Sequence, residues 1–308
     1  MTAIAGIGYI LLAFSPAFAI FYKFIIADPL RIILFAFGAF FWLLSLLFSS
    51  LLWFILVPLR GKLFIFVIFS ILIQELSRIT LFVLIKRAQR LVYFFLVLHG
   101  VHTLYNARHM LAVVCGIGMG TMAAYFAIIN VVADFWGEGT VGLPATVPEI
   151  NQYFPVSFLK CLIKSYSLIM FYHIITYAIS ACFLTLCHVF WTIVLWDACH
   201  KEGKNSKWWK NVLFVFLSHL TFSGSSFLNQ LGYPVLVLCM QFCIMLLSAI
   251  YSIHVIAKNV TVMTAIRILL RTLSACVCCS KTEELNTNWI QASEPVRQEA
   301  GEPQTVDT

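Results

Sequence analysis

Seven long apolar runs decide what this chain can fold into. A helix needs about 20 consecutive apolar residues to cross the hydrocarbon core of a bilayer. Runs of that length occupy residues 4–26, 33–57, 63–85, 110–133, 174–196, 211–230 and 234–257. Only 11% of the residues are charged, whereas soluble domains hold about 25%. The sequence therefore predicts an all-α polytopic membrane protein with seven transmembrane helices.

Turn residues separate several of these runs. Asp28-Pro29 follows the first run, and "PLRG" at 58–61 follows the second. Pro234 opens the last run, at a position where a missing N–H costs nothing. Two shorter stretches, 91–101 and 155–172, are predicted to form interfacial helices. The first is too short to cross the membrane alone, and the second carries two lysines one turn apart.

The distribution of basic residues predicts the orientation. With the N-terminus outside or lumenal, thirteen Lys and Arg side chains fall on the cytoplasmic side and four on the other. The positive-inside rule therefore favours an outside N-terminus and a cytoplasmic C-terminus. No basic residue precedes Lys23, so the first run lacks the positive segment of a cleaved signal peptide and is expected to remain as a span.

Charge also divides the chain into three predicted segments. Residues 1–258 form the seven-helix domain, 259–280 a basic juxtamembrane segment, and 281–308 an acidic, disordered cytoplasmic tail. The basic residues lie beside apolar runs, which predicts contact with membrane lipid and not with nucleic acid. Three cysteines in the juxtamembrane segment are either palmitoylation sites or free thiols: Cys276, Cys278 and Cys279.

Five polar residues lie deep within predicted spans, where burying them is costly. Gln74, Glu75 and Arg78 are on the third span, and Arg78 is close enough to pair with Glu75 on a helix. His188 and His219 lie at mid-depth on the fifth and sixth spans. Three interpretations stay open: a hydrogen-bonded structural network, a metal site, or a proton path in a stand-alone transporter or channel.

Intramembrane aspartyl protease chemistry requires two facing aspartates. The four aspartates of this chain all lie outside the middle of the spans, so the chain is predicted to lack this chemistry. No cofactor and no resident metal are expected.

Small residues recur on the fourth span. Ala112, Gly116, Gly120 and Ala124 are spaced four apart and so form one smooth stripe on a helix. We call it the small-residue stripe. Such stripes let helix backbones approach closely, which predicts packing against a partner's helix or another helix of the same chain.

The chain resembles the anterior-pharynx-defective (Aph) family, the scaffold subunit of γ-secretase, over most of residues 10–260. Residues 88–109 and the tail after Cys279 depart from the family pattern. The resemblance is carried by "FSPAFAIF" (14–21), "DPLR" (28–31), "GAFFWLLSLL" (38–47), "LIQELSR" (72–78), "INVVAD" (129–134), "LCHVFWTIVLWDAC" (186–199) and "SHLTFSGSSFLN" (218–229).

This resemblance implies a non-catalytic assembly subunit. Its expected partners are presenilin, which carries the catalytic aspartates, nicastrin and the presenilin-enhancer subunit. The complex would cleave type I membrane proteins such as Notch-type receptors, in the endoplasmic reticulum, the Golgi and the plasma membrane.

The resemblance also assigns residues. The family's glycine motif falls on Gly116 and Gly120, with Ala124 in place of a third glycine, and it is tied to assembly. The family's two membrane histidines fall on His188 and His219, and its polar patch on the third span falls on Gln74, Glu75 and Arg78.

Overall fold

The computed structural model describes residues 3–56, 63–97, 108–136, 166–201, 208–231 and 233–256, and every regular element within these ranges is a helix. The helices are α1 (Ala3–Ile20), α2 (Pro29–Ile55), α3 (Leu63–Val97), α4 (Arg108–Trp136), α5 (Tyr166–Lys201), α6 (Trp208–Ser225) and α7 (Pro234–Ile256). A π-helical turn, Phe21–Ile25, extends α1, and a 3₁₀ turn, Ser226–Leu231, extends α6.

All seven of these helical segments are long and apolar enough to cross a membrane. This confirms the number of spans predicted from the sequence. The spans of the structure begin and end within a few residues of the predicted runs, for example Gly6–Ile25 and Pro234–Ile256.

One prediction about the connecting stretches is wrong. Residues 91–97 do not start a separate interfacial helix but continue α3, because no glycine or proline interrupts the chain between Arg90 and Val97. Residues 166–172 of the second stretch form the first two turns of α5. The remainder of both stretches lies outside the described residues.

The turn between α1 and α2 is held by its own polar groups. The Asp28 carboxylate accepts a hydrogen bond of 3.0 Å from the Leu30 N–H, and Pro29 occupies the first position of α2. Arg31 lies 3.2 Å from Asp28 and donates a 2.7 Å hydrogen bond to the carbonyl oxygen of Phe24. Arg31 therefore ties the end of the first span to the start of the second.

The helices α4 and α5 form the centre of the bundle. In the most apolar 18-residue stretch of each of these two spans, 61% is buried inside the bundle, whereas the buried share is 17–33% in the other five spans. The helix α4 packs against α5 on one side and α2 on the other, while α5 also contacts α1, α6 and α7. The residues of α4 and α5 are thus the ones whose substitution affects the most helix contacts.

Candidate functional site

Four polar side chains from three helices meet inside the bundle. Arg78 Nη1 lies 2.6 Å from Glu75 Oε2, within α3. The other terminal nitrogen of Arg78, Nη2, lies 2.8 Å from His188 Nδ1 on α5. His219 Nδ1 on α6 lies 2.7 Å from Glu75 Oε1. We call these four residues the polar network, and all four are buried.

The direction of each hydrogen bond follows from the chemistry of its partners. A guanidinium can only donate, so His188 Nδ1 accepts from Arg78 and the proton of this imidazole is on Nε2. A carboxylate only accepts, so His219 donates from Nδ1 to Glu75. Since the charges of Glu75 and Arg78 compensate each other, the network is buried without an unpaired charge.

Aromatic rings enclose the histidines of the network. The Trp191 ring stacks on His219 with centroids 4.4 Å apart and planes at 23°. It also contacts His188 edge-on at 5.4 Å and Phe222 at 6.1 Å. These rings cover the imidazoles with apolar surface, which strengthens the enclosed hydrogen bonds by lowering the local dielectric constant. Trp191 was not predicted from the sequence, although it lies three residues after His188 and therefore on the same helical face.

Gln74 lies apart from the other residues of the predicted network. Its side chain lines a cavity of about 390 Å³ between α3, α4, α5, α6 and α7. Other polar residues that line this cavity are Ser70, Asn229, Ser180 and Gln241. The Ser180 hydroxyl donates a 2.7 Å hydrogen bond to the Gln241 amide oxygen. Adjacent residues on a helix point about 100° apart, so Glu75 faces α6 while Gln74 faces the cavity.

The small-residue stripe lies against α5 of the same chain. A Cβ atom added to Gly116 would lie 2.9 Å from the Val189 Cα, and one added to Gly120 would lie 2.6 Å from the Thr185 carbonyl oxygen. Ala112 and Ala124 are also buried. Thr185 further donates a 3.3 Å hydrogen bond to the Gly120 carbonyl oxygen. The stripe thus brings the α4 and α5 backbones into contact directly beside the polar network, because an added Cβ on Gly120 would also lie 3.1 Å from the His188 Cβ.

A second close contact joins the opposite side of α4 to α2. A Cβ on Gly118 would overlap the Phe35 carbonyl oxygen, and a Cβ on Gly38 would overlap the Cys115 carbonyl oxygen. The contact between α4 and α2 was not predicted from the sequence. The feature that could have indicated it is Gly118, the third glycine of α4, which lies off the small-residue stripe and therefore faces a different helix.

The remaining predicted sites are not described by the structure. Cys276, Cys278 and Cys279 lie outside the described residues. Among the residues that the structure describes, no group of three or more His, Cys, Asp or Glu side chains could hold a metal ion.

The hydrogen bond from Arg78 to His188 leads to a specific prediction. Replacing His188 with alanine removes the acceptor for a buried guanidinium N–H and should lower the free energy of unfolding by about 1–3 kcal/mol. Asparagine places an oxygen near the position of Nδ1, so His188→Asn should recover most of this loss. Unfolding of the purified full chain in mixed detergent micelles measures both. Equal destabilisation by the two variants would contradict the assigned hydrogen bond.

Known proteins of similar sequence match most of the chain. The family model described as "Aph-1 protein" matches residues 4–259. The gamma-secretase subunit aph-1 of Caenorhabditis elegans is 42% identical over 248 residues, which cover 78% of this chain and 76% of that protein. The gamma-secretase subunit APH-1B of Homo sapiens is 35% identical over 241 residues, covering 75% and 80%. The gamma-secretase subunit Aph-1 of Drosophila melanogaster is 31% identical over 261 residues, covering 83% and 94%.

Proposed function

The chain belongs to the Aph-1 family and is a gamma-secretase subunit, and we propose that within this complex it is the non-catalytic scaffold. Its proposed partners are presenilin, which supplies the catalytic aspartates, nicastrin and the presenilin-enhancer subunit. The comparisons give no support to a stand-alone transporter or channel.

The hydrogen bonding of the Glu75 carboxylate is the observation that supports the non-catalytic role. Both of its oxygens are engaged, one by Arg78 at 2.6 Å and the other by His219 at 2.7 Å. A general acid or base must have an oxygen within reach of a substrate proton. Glu75 instead links α3 to α6, and Arg78 links α3 to α5, which supports a structural function for the network.

The packing of α4 supports a role in assembly. Because the glycines of α4 let it touch both α2 and α5 at backbone distance, the positions of these two spans depend on α4. A scaffold must present its outer surfaces to several partners in fixed relative positions. We propose that the small-residue stripe serves assembly in this indirect way, by fixing the helices that carry the partner-binding surfaces.

Orientation and location complete the proposal. We propose an outside or lumenal N-terminus and a cytoplasmic C-terminus, on the basic-residue count described above. The proposed compartments are the endoplasmic reticulum, the Golgi and the plasma membrane. The proposed substrates of the assembled complex are type I membrane proteins such as Notch-type receptors.

Copurification from cells tests this function. The tagged full chain, solubilised in mild detergent, should recover presenilin, nicastrin and the enhancer subunit in near-equal amounts by mass spectrometry. The variant Gly116→Leu/Gly120→Leu should insert into the membrane but recover none of them, because two leucines separate α4 from α5. The matched control is Gly8→Leu/Gly224→Leu, at two glycines around which no atom lies within 4 Å of an added Cβ.

Two outcomes would contradict the proposal. Recovery of the folded chain alone would exclude the scaffold role. Normal recovery of all three partners by the Gly116→Leu/Gly120→Leu variant would exclude a role of the stripe in assembly while leaving the scaffold role intact.

A further inference from the structure

One face of α3 is exposed and mostly apolar, and the exposed Thr80 lies on it between Leu76 and Val83. Phe69, Leu72, Leu76 and Val83 are each 40–62% exposed. They are spaced three, four and seven residues apart, so they lie on one side of the helix. We call this side the α3 outer face. Continuing the same spacing leads to Arg87 and then Arg90, both of which are exposed.

Contacts to neighbouring helices place these arginines at the membrane surface. Ser77 donates a 2.7 Å hydrogen bond to the Phe41 carbonyl oxygen of α2. Ten residues further along α3 is Arg87, and ten residues back along α2 is Arg31. Since both helices rise 1.5 Å per residue, Arg87 lies level with Arg31, in the first turn of α2.

The contact between α3 and α6 places this end of α3 at the same level. His219 on α6 contacts Glu75 on α3. Eleven residues back along α6 is Trp208, and eleven residues along α3 is Lys86. Trp208 and Trp209 are both exposed, and exposed tryptophans are typical of the headgroup level of a bilayer. Lys86 and Arg87 therefore lie where phosphate groups are found.

The arginines at the end of the α3 outer face differ from Arg31 in their charge environment. Arg31 is paired with Asp28 at 3.2 Å. By contrast, Arg87 and Arg90 form no ion pair with any carboxylate in the part of the chain that the structure describes. Lys86 is directed elsewhere, since its Nζ lies 5.4 Å from the centre of the Phe82 ring. Within the described part of the chain, two guanidinium groups on the α3 outer face are therefore without a carboxylate partner.

We propose that the α3 outer face binds an anionic phospholipid. The forked N–H groups of Arg87 and Arg90 hold its phosphate, and its acyl chains lie along Val83 and Leu76. Arginine matches phosphate geometry through paired hydrogen bonds. The eleven residues from Arg87 back to Leu76 span about 16 Å, which is half of the roughly 30 Å hydrocarbon core and so the depth of one leaflet.

The probe is phosphatidylserine, with phosphatidylcholine as the neutral comparison. Native mass spectrometry of the full chain in detergent gives the Kd for the first bound molecule of each lipid. Arg87→Gln/Arg90→Gln should weaken phosphatidylserine binding roughly tenfold or more, since each cation near the surface contributes several-fold to the attraction of acidic lipid. Phosphatidylcholine binding should change little. Arg87→Lys/Arg90→Lys should retain most of the preference.

Lys23→Gln/Lys210→Gln is the matched control. It removes two exposed cations that lie on other elements, Lys23 in the π-helical turn after α1 and Lys210 on α6. It should change the Kd by about twofold or less if the site is local. Equal losses in the two double variants would overturn the proposal, because binding would then reflect net charge alone.

The alternative is that the α3 outer face binds another protein, and the same variants test this. If Arg87→Gln/Arg90→Gln keeps its affinity for phosphatidylserine but no longer copurifies with the other subunits, the face binds a protein and the lipid site is overturned. A thermal unfolding midpoint equal to that of the wild type shows that the variant is folded, so that its lipid affinity can be compared.

Discussion

Replacing Arg78 with methionine is expected to lower the free energy of unfolding by about 3–5 kcal/mol. The guanidinium is completely buried and contacts both Glu75 Oε2 and His188 Nδ1. Methionine has similar length but no donor, so the Glu75 carboxylate would keep only His219 as a partner. A charge left uncompensated in a low-dielectric interior is among the most costly changes that a single substitution can make.

A second variant that removes both charges separates this charge effect from a change in packing. Glu75→Gln/Arg78→Met removes both charges and should be more stable than Arg78→Met alone, although it loses the same guanidinium. Arg90→Met is the control at an exposed position of the same helix and should change the free energy of unfolding by less than about 0.5 kcal/mol. Denaturation in mixed micelles, followed by tryptophan fluorescence, measures all three. If the double variant is no more stable than Arg78→Met, compensation of Glu75 is not what Arg78 contributes.

The spans and one half of the polar network could be predicted from the sequence. Seven apolar runs fix seven helices because a bilayer leaves few alternatives for the backbone. The contact between Glu75 and Arg78 follows from a separation of three residues on one helix. Both predictions depend on local spacing, and local spacing is what a single sequence records.

Contacts between spans could be predicted only in part. The sequence predicts His188 and His219 at mid-depth of their spans, but their distinct partners depend on how α5 and α6 are rotated about their axes. The same rotation directs Gln74 to the cavity and away from the network. The contact of Gly38 with α4 was missed because α2 has no second small residue four positions away, so no stripe marks it.

Substituting alanine for Gly118 is expected to separate α4 from α2. The added methyl group would overlap the Phe35 carbonyl oxygen and lie 3.0 Å from the Ala39 nitrogen. Both are backbone atoms, so no side-chain rotation can relieve the overlap and α2 itself must move. We expect a loss of about 3 kcal/mol in the free energy of unfolding, at the upper end of the range for overpacked cores. Gly224→Ala, where the methyl group meets open space, should raise it by up to about 1 kcal/mol through helix propensity.

Gly38 lies in the same interface between α2 and α4 as Gly118, and this provides a second test. Alanine at Gly38 would overlap the Cys115 carbonyl oxygen in the same interface, and it should destabilise the chain by a similar amount. Once either methyl group has displaced α2, the other finds space already opened. The double variant should therefore lose clearly less than the sum of the two single losses. Additive losses would mean that the two glycines act at independent sites, and the close approach of α2 and α4 would then not be the reason that both positions carry glycine.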